Sequence, residues 1–172
     1  QRQMCIRDRI IGYASSKEQF SEQMSLIKDK FQYYNDLYDI YHDYEGMNNI
    51  KTINDNAGIQ PVKVDEEIIE LLKLGITMDE KTDGNMNIAM GSVLSIWHDY
   101  REAGSEDPDF AELPPMDELE RAAEHTDIHD IVIDEEASTV YLTDPDMSLD
   151  VGSIGKGYAV QKVAEYAKNE LG

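Results

Sequence analysis

The chain has 172 residues, a length that suits one domain. Hydrophobic residues make up 41% and charged residues 30%, so there is material for a core and wholesale disorder is excluded. With 15 Lys and Arg against 36 Asp and Glu, the formal net charge is −21, which repels nucleic acid and anionic membrane and excludes both as main partners.

The single cysteine, Cys5, excludes an internal disulfide and a cysteine-based zinc site. No apolar run approaches the ~18 residues of a membrane span. Residues 1–9 are basic in a very acidic chain and show neither an apolar period nor a signal-peptide core. They read as a foreign or disordered segment, with the domain expected over residues 10–172.

Ile10 to Ala14 is a short apolar run and is expected to form a strand. Ser15-Ser16 then starts a helix in which Phe20, Met24, Ile27, Phe31, Tyr34 and Tyr38 recur at spacings of four and three. From Tyr38 to Gly58 the density of Asn and Gly predicts irregular, turn-rich chain, the kind of segment on which functional residues concentrate. Pro61 to Val64 reads as a short extended link. Asp65 caps a helix that buries Ile68, Ile69, Leu71, Leu72 and Ile76 and breaks at Thr82-Asp83-Gly84-Asn85. Ile88 to Tyr100 repeats apolar residues at helical spacing, with Gly91 and Ser92 permitting a close approach near its start. A polar, proline-bearing loop over 104–115 leads to a short helix from Asp117 to about Glu124. Ile128–Asp134 and Thr139–Thr143 flank a turn and read as a hairpin. A third extended run, Asp146 to Leu149, leads into a final helix from Tyr158 to Leu171. Helices and strands are segregated, which predicts an α+β fold.

Between that third run and the last helix stands Asp150-Val151-Gly152-Ser153-Ile154-Gly155-Lys156-Gly157-Tyr158. Three glycines let backbone approach a ligand closely, and the following helix offers unpaired N–H groups that suit a phosphate. The same glycines also suit a plain tight turn. The spacing is neither that of a P-loop nor that of a dinucleotide fingerprint. Among the four histidines, His125 and His129 are four apart, but the segment passes from helix to strand and carries no H-E-x-x-H, which argues against a metal site there. No G-x-S-x-G occurs, and nothing singles out a serine–histidine pair.

The segment Asp150 to Val160 closely resembles the D-L-G-G-I-A-K-G-Y-A-V segment of the ApbE family, the FAD:protein FMN transferases. Thr82 to Leu94, with Trp97 after it, resembles that family's T-D-G-x-F-D-P-T-V-G-P-L…W segment. Tyr38 to Gly58, ending Ile53-Asn54-Asp55-Asn56-Ala57-Gly58, resembles the stretch closing on L-N-x-x-A-G. The resemblance implies an α+β fold with helices packed on a mostly antiparallel sheet. It implies Mg2+-dependent transfer of FMN from FAD to a Thr or Ser hydroxyl of an acceptor flavoprotein carrying a flavinylation motif. Asp150 and Lys156 would contact FAD, and Ser153 would give Mg2+ a ligand through its backbone carbonyl. Asn87, Ala89, Met90 and Gly91 would line the flavin nucleotide site, with Tyr41 beside it. Asn87 and Ala89 stand where the family has Asp and Thr. The family's H-x-I-D-P and D-A-x-S-T-A segments, which carry its catalytic His and further metal ligands, do not occur in this sequence. The chain is therefore expected to be the N-terminal part of such an enzyme, truncated at the C-terminal side, with no catalytic residue of its own. Family members commonly work outside the cytoplasm, often tethered to a membrane as lipoproteins. Two alternatives stay open: a flavin-nucleotide-binding fragment without catalysis, and an acidic α+β interaction domain.

Overall fold

The structure, a computed structural model, describes residues 10–171; the segment over 1–9, expected to be foreign or disordered, lies outside the described residues. The first helix, α1 (Lys17–Leu37), starts at Ser16, whose hydroxyl accepts a hydrogen bond from the Gln19 N–H. Its stripe lies against the core through Met24, Ile27, Phe31, Tyr34 and Leu37. The run over 10–14 forms no strand, against expectation, and Ile11 and Tyr13 are 75% and 97% exposed. A strand needs a partner for its N–H and C=O groups, and none of the described strands pairs with this run.

The Asn-rich stretch is more ordered than its composition predicts. It contains α2 (Ile50–Asp55), closed at its start by a reciprocal pair in which Asn49 Oδ1 accepts from Thr52 N–H and Thr52 Oγ1 accepts from Asn49 N–H. Asn49 is fully buried and donates to the carbonyls of Asp36 and His42. Here asparagine marks a cap rather than a loop.

Helix α3 (Glu66–Lys81) opens at Asp65, whose carboxylate accepts from Glu67 N–H. Ile68, Leu71 and Leu72 are inaccessible to solvent, each contributing about 1.5–3 kcal/mol by burial. The helix ends at Thr82, where Asp83 and Gly84 take positive φ. Helix α4 (Gly91–Glu106) begins three residues after the expected start, because Asn87 Oδ1 binds Ala89 N–H and Ile88 C=O is taken by Asp150. It packs on α5 (Met116–Ala123).

The sheet has three antiparallel strands in the order β1 (Val62–Lys63), β3 (Thr139–Leu142), β2 (Ile131–Asp134). The hairpin pairs Ile131 with Leu142 and Asp134 with Thr139. A short 3-10 turn over Ile128–Asp130 precedes β2, so that strand starts at Ile131 rather than Ile128. Val140 and Leu142 point into the core shared with Ile68, Leu71, Ile88 and Leu149. The α+β expectation, with helices on an antiparallel sheet, is what the structure shows.

The last helix, α6 (Gly155–Tyr166), starts three residues earlier than expected and continues as a π-helical turn over Ala167–Leu171. It packs on α1 and is tied to α3 by polar contacts. The Tyr158 hydroxyl donates to Glu70 Oε2 at 2.8 Å, and Lys162 bonds the same carboxylate. Among the described residues, no helix is long and apolar enough to cross a membrane.

Candidate functional site

The run Asp146 to Leu149, expected to be extended, pairs with none of the described strands. Side chains and single backbone bonds hold it instead. Leu149 N–H donates to Asn54 Oδ1 at 2.8 Å, and Asn54 Nδ2 donates back to Leu149 C=O at 3.1 Å. On the other side Gly91 N–H donates to Ser148 C=O at 3.0 Å, and Asp150 N–H to Ile88 C=O at 2.9 Å. The segment therefore runs between α2 and the start of α4. Gly91 is required for this: a Cβ there would lie 2.4 Å from Ser148 Oγ and 2.5 Å from Ser148 O.

These contacts deliver Asp150 to the wall of a cleft of about 430 Å³. Tyr41, Gly91 and Asn54 also line it, with the face of α4 that carries Leu94, His98 and Glu102. The volume falls in the ~300–1,000 Å³ range of small-molecule sites. Tyr41 is 57% exposed, and its ring lies 5.4 Å from the His98 ring at an interplanar angle of 33°. Partial burial and then the charge of Asp150 hold the Tyr41 hydroxyl above its ordinary pKa, which places the two groups within electrostatic reach of each other. Asp39 fixes the Tyr41 backbone by accepting its N–H at 2.7 Å. A wider depression of about 850 Å³ between Tyr33, Tyr44 and Val64 contains none of the residues singled out for flavin, phosphate or metal contact.

The glycine loop follows directly. Asp150 Oδ1 accepts from Gly152 N–H at 2.8 Å, and Val151 C=O accepts from Gly155 N–H at 2.7 Å. Residue Ile154 stands at the N-cap of α6 and makes no side-chain capping bond. The capping residue thus places no side chain across the start of α6, the end of a helix that suits a phosphate. A Cβ added at Gly157 would meet nothing within 4 Å, so the space beside the loop is open. Ser153 and Lys156 are exposed on this loop. The nearby oxygens, the Asp150 carboxylate and the Ser153 backbone, are hard donors of the kind Mg2+ takes. Mg2+ fits these oxygens, and the N-terminus of α6 beside them suits a pyrophosphate.

Of the residues singled out in the sequence, Tyr41, Gly91 and Asp150 meet in the cleft. Ser153 lies on the adjoining loop and Lys156 in the first turn of α6. Met90 is half-buried at the α4 N-cap, and Ala89 is fully buried. The Asn87 side chain is engaged by Ala89 N–H at 2.7 Å and by Thr126 C=O at 2.8 Å. Sequence reasoning missed Asn54, His98, Asp99 and Glu102. The last three had a signal: with Gly91, Leu94 and Ser95 they recur at spacings of three and four, one face of a helix.

The sequence model of the ApbE family matches residues 9–171. The chain is 26% identical over 151 residues to an FAD:protein FMN transferase of Klebsiella pneumoniae (strain 342), covering 88% of this chain and 46% of that protein. It is 30% identical over 121 residues to one from Treponema pallidum (strain Nichols), covering 67% and 32%. The crystal structure of the ApbE protein from Thermotoga maritima superposes with a TM-score of 0.72 at 24% identity, covering 90% of this chain and 47% of that one. The flavin transferase ApbE from Vibrio cholerae gives 0.69 at 21%, covering 94% and 48%. These structural likenesses show a shared fold. The chain spans less than half the length of these relatives.

Proposed function

Because the chain belongs to the ApbE family, we propose that the protein carrying it transfers FMN from FAD to a Thr or Ser hydroxyl of an acceptor protein, with Mg2+ as cofactor. In that reaction the hydroxyl oxygen bonds to the FMN phosphorus, the bond to the AMP phosphate oxygen breaks, the hydroxyl proton is lost and AMP leaves. Bound Mg2+ would neutralise charge on the pyrophosphate and on the departing AMP.

This chain's residues serve binding and orientation. The α6 N-terminus and Lys156 attract the pyrophosphate locally, where a net charge of −21 repels it at long range. Asp150 and the Ser153 carbonyl supply oxygen donors. Tyr41 and His98 offer a ring surface on which a flavin or adenine can lie. No catalytic base is assigned among the described residues. A site outside the cytoplasm, on a membrane-tethered protein, belongs to the same proposal and rests on the family alone.

The observation that carries this reading is the meeting of Tyr41, Gly91 and Asp150, taken from three separate motifs, in one cleft beside the glycine loop. The test is flavin fluorescence on a denaturing gel after incubating the full-length protein, FAD, Mg2+ and an acceptor bearing the flavinylation Thr. Covalent label that needs Mg2+ is the expected result. Its absence with intact protein and a proven acceptor refutes the proposal.

A further inference from the structure

We propose that His125, Asp144 and Asp146 form a binding site for a divalent transition-metal ion. One ligand atom from each of the three lies within 4.8 Å of the other two. Two segments bring them together. His125 lies just after α5, its N–H bonded to Ala122 C=O. Asp144 and Asp146 stand on the turn between β3 and the Met147–Asp150 segment. That turn is held by Asp144 Oδ1, which accepts from Asp146 N–H at 2.9 Å.

The geometry is directional. Asp144 Oδ2 lies 2.8 Å from His125 Nδ1. A carboxylate only accepts, so Nδ1 carries the hydrogen, and in the neutral ring the opposite nitrogen, Nε2, keeps its lone pair for a metal. Nε2 lies 4.0 Å from Asp146 Oδ2. That gap is too long for a hydrogen bond. An ion about 2.0–2.2 Å from each atom in tetrahedral geometry needs them roughly 3.3–3.6 Å apart, a small closure. The side chains of His125 and Asp144 are 33% and 19% exposed, which limits their freedom, while Asp146, at 72%, can adjust to an ion. Water can complete the coordination.

The donor set selects the ion class. Mg2+ and Ca2+ take oxygen ligands, whereas an imidazole nitrogen, oriented by one carboxylate and joined by another, suits Zn2+, Co2+ or Ni2+. The site shares no residue with the cleft or the glycine loop, so it stands whether or not the flavin reading does.

Titration of the purified full-length protein with Co2+, in excess Mg2+ to fill oxygen-only sites, tests it through visible absorption; calorimetry with Zn2+ gives the affinity. Saturable binding with a nitrogen-ligated Co2+ spectrum is expected. His125→Ala and Asp146→Asn should each weaken it roughly tenfold or more, and Asp144→Ala about 10–100-fold. His129→Ala, outside the cluster, should leave it unchanged. Asp146→Asn alters an exposed group and keeps the test valid even where His125→Ala disturbs folding. Binding that is absent up to millimolar Co2+ and Zn2+, or that survives both His125→Ala and Asp146→Asn, overturns the proposal.

Discussion

The carboxamide of Asn54 satisfies both backbone groups of Leu149, a residue 95 positions later in the chain. Leu149 is fully buried, so water cannot replace either bond. Asn54→Ala should therefore cost about 1–3 kcal/mol for each backbone group left unpaired. Asn54→Asp keeps the acceptor but sets a carboxylate oxygen against the Leu149 C=O, so it should cost at least as much. Urea unfolding midpoints measure both. Because Leu149 carries Asp150 into the cleft, FAD affinity should fall in the same order, read by flavin fluorescence.

Two glycines near the site separate packing from ligand space. Gly91→Ala drives a Cβ into the Ser148 backbone, which cannot swing aside, and should cost about 1–3 kcal/mol. Gly157→Ala meets open space and lies in the first turn of α6, where Ala should stabilise by about 0.5–1 kcal/mol. If the space beside Gly157 belongs to a ligand, the second variant should be more stable and bind FAD worse. Thermal unfolding with and without FAD decides this: a Gly157→Ala protein with unchanged FAD affinity removes the loop from the site.

The elements legible in the sequence are those whose signals are local. Helices α1 and α3 show their apolar period and their caps, Ser16 and Asp65, within a few residues. The hairpin shows two β-rich runs around a turn. What failed depended on distant partners. Ile10–Ala14 has strand composition and no partner strand. Asp146–Leu149 also looks extended, but Asn54 and Gly91, not a neighbouring strand, take the hydrogen bonds of Ser148 and Leu149. The site divides the same way. Tyr41, Gly91 and Asp150 sit in recognisable motifs, whereas Asn54 and His98 join them only after α2 and α4 pack.

Asp39 predicts an acid-sensitive loop. Its burial raises the carboxyl pKa, but hydrogen bonds from the Tyr41 N–H, the Tyr44 hydroxyl and His42 outweigh that, and the net value is lowered. A folded pKa below the unfolded one, about 3.9, contributes stability that is fully present above that value. It is lost as pH falls through the folded pKa. At pH 7 Asp39→Asn should cost about 1.5–3 kcal/mol, since hydrogen bonds to a charged group are removed. The difference from wild type should shrink below pH ~4. Urea unfolding across pH 3–7 tests the sign; a gap that widens in acid contradicts it.

Lys156 and the acidic surface make opposing contributions to FAD binding, and salt separates them. Lys156→Ala should weaken FAD binding by about 1.5–3 kcal/mol, roughly ten- to a hundredfold, if its ammonium contacts the pyrophosphate. Salt weakens that contact. It also screens the long-range repulsion from a net charge of −21, with a Debye length near 8 Å at ~0.15 M ionic strength. In wild type the two effects offset. In Lys156→Ala one attraction is gone and the repulsion weighs more, so its FAD affinity should rise with added NaCl relative to wild type. Flavin fluorescence titrations over a salt series measure this. A variant that matches wild type at every salt concentration would show that Lys156 does not touch the nucleotide.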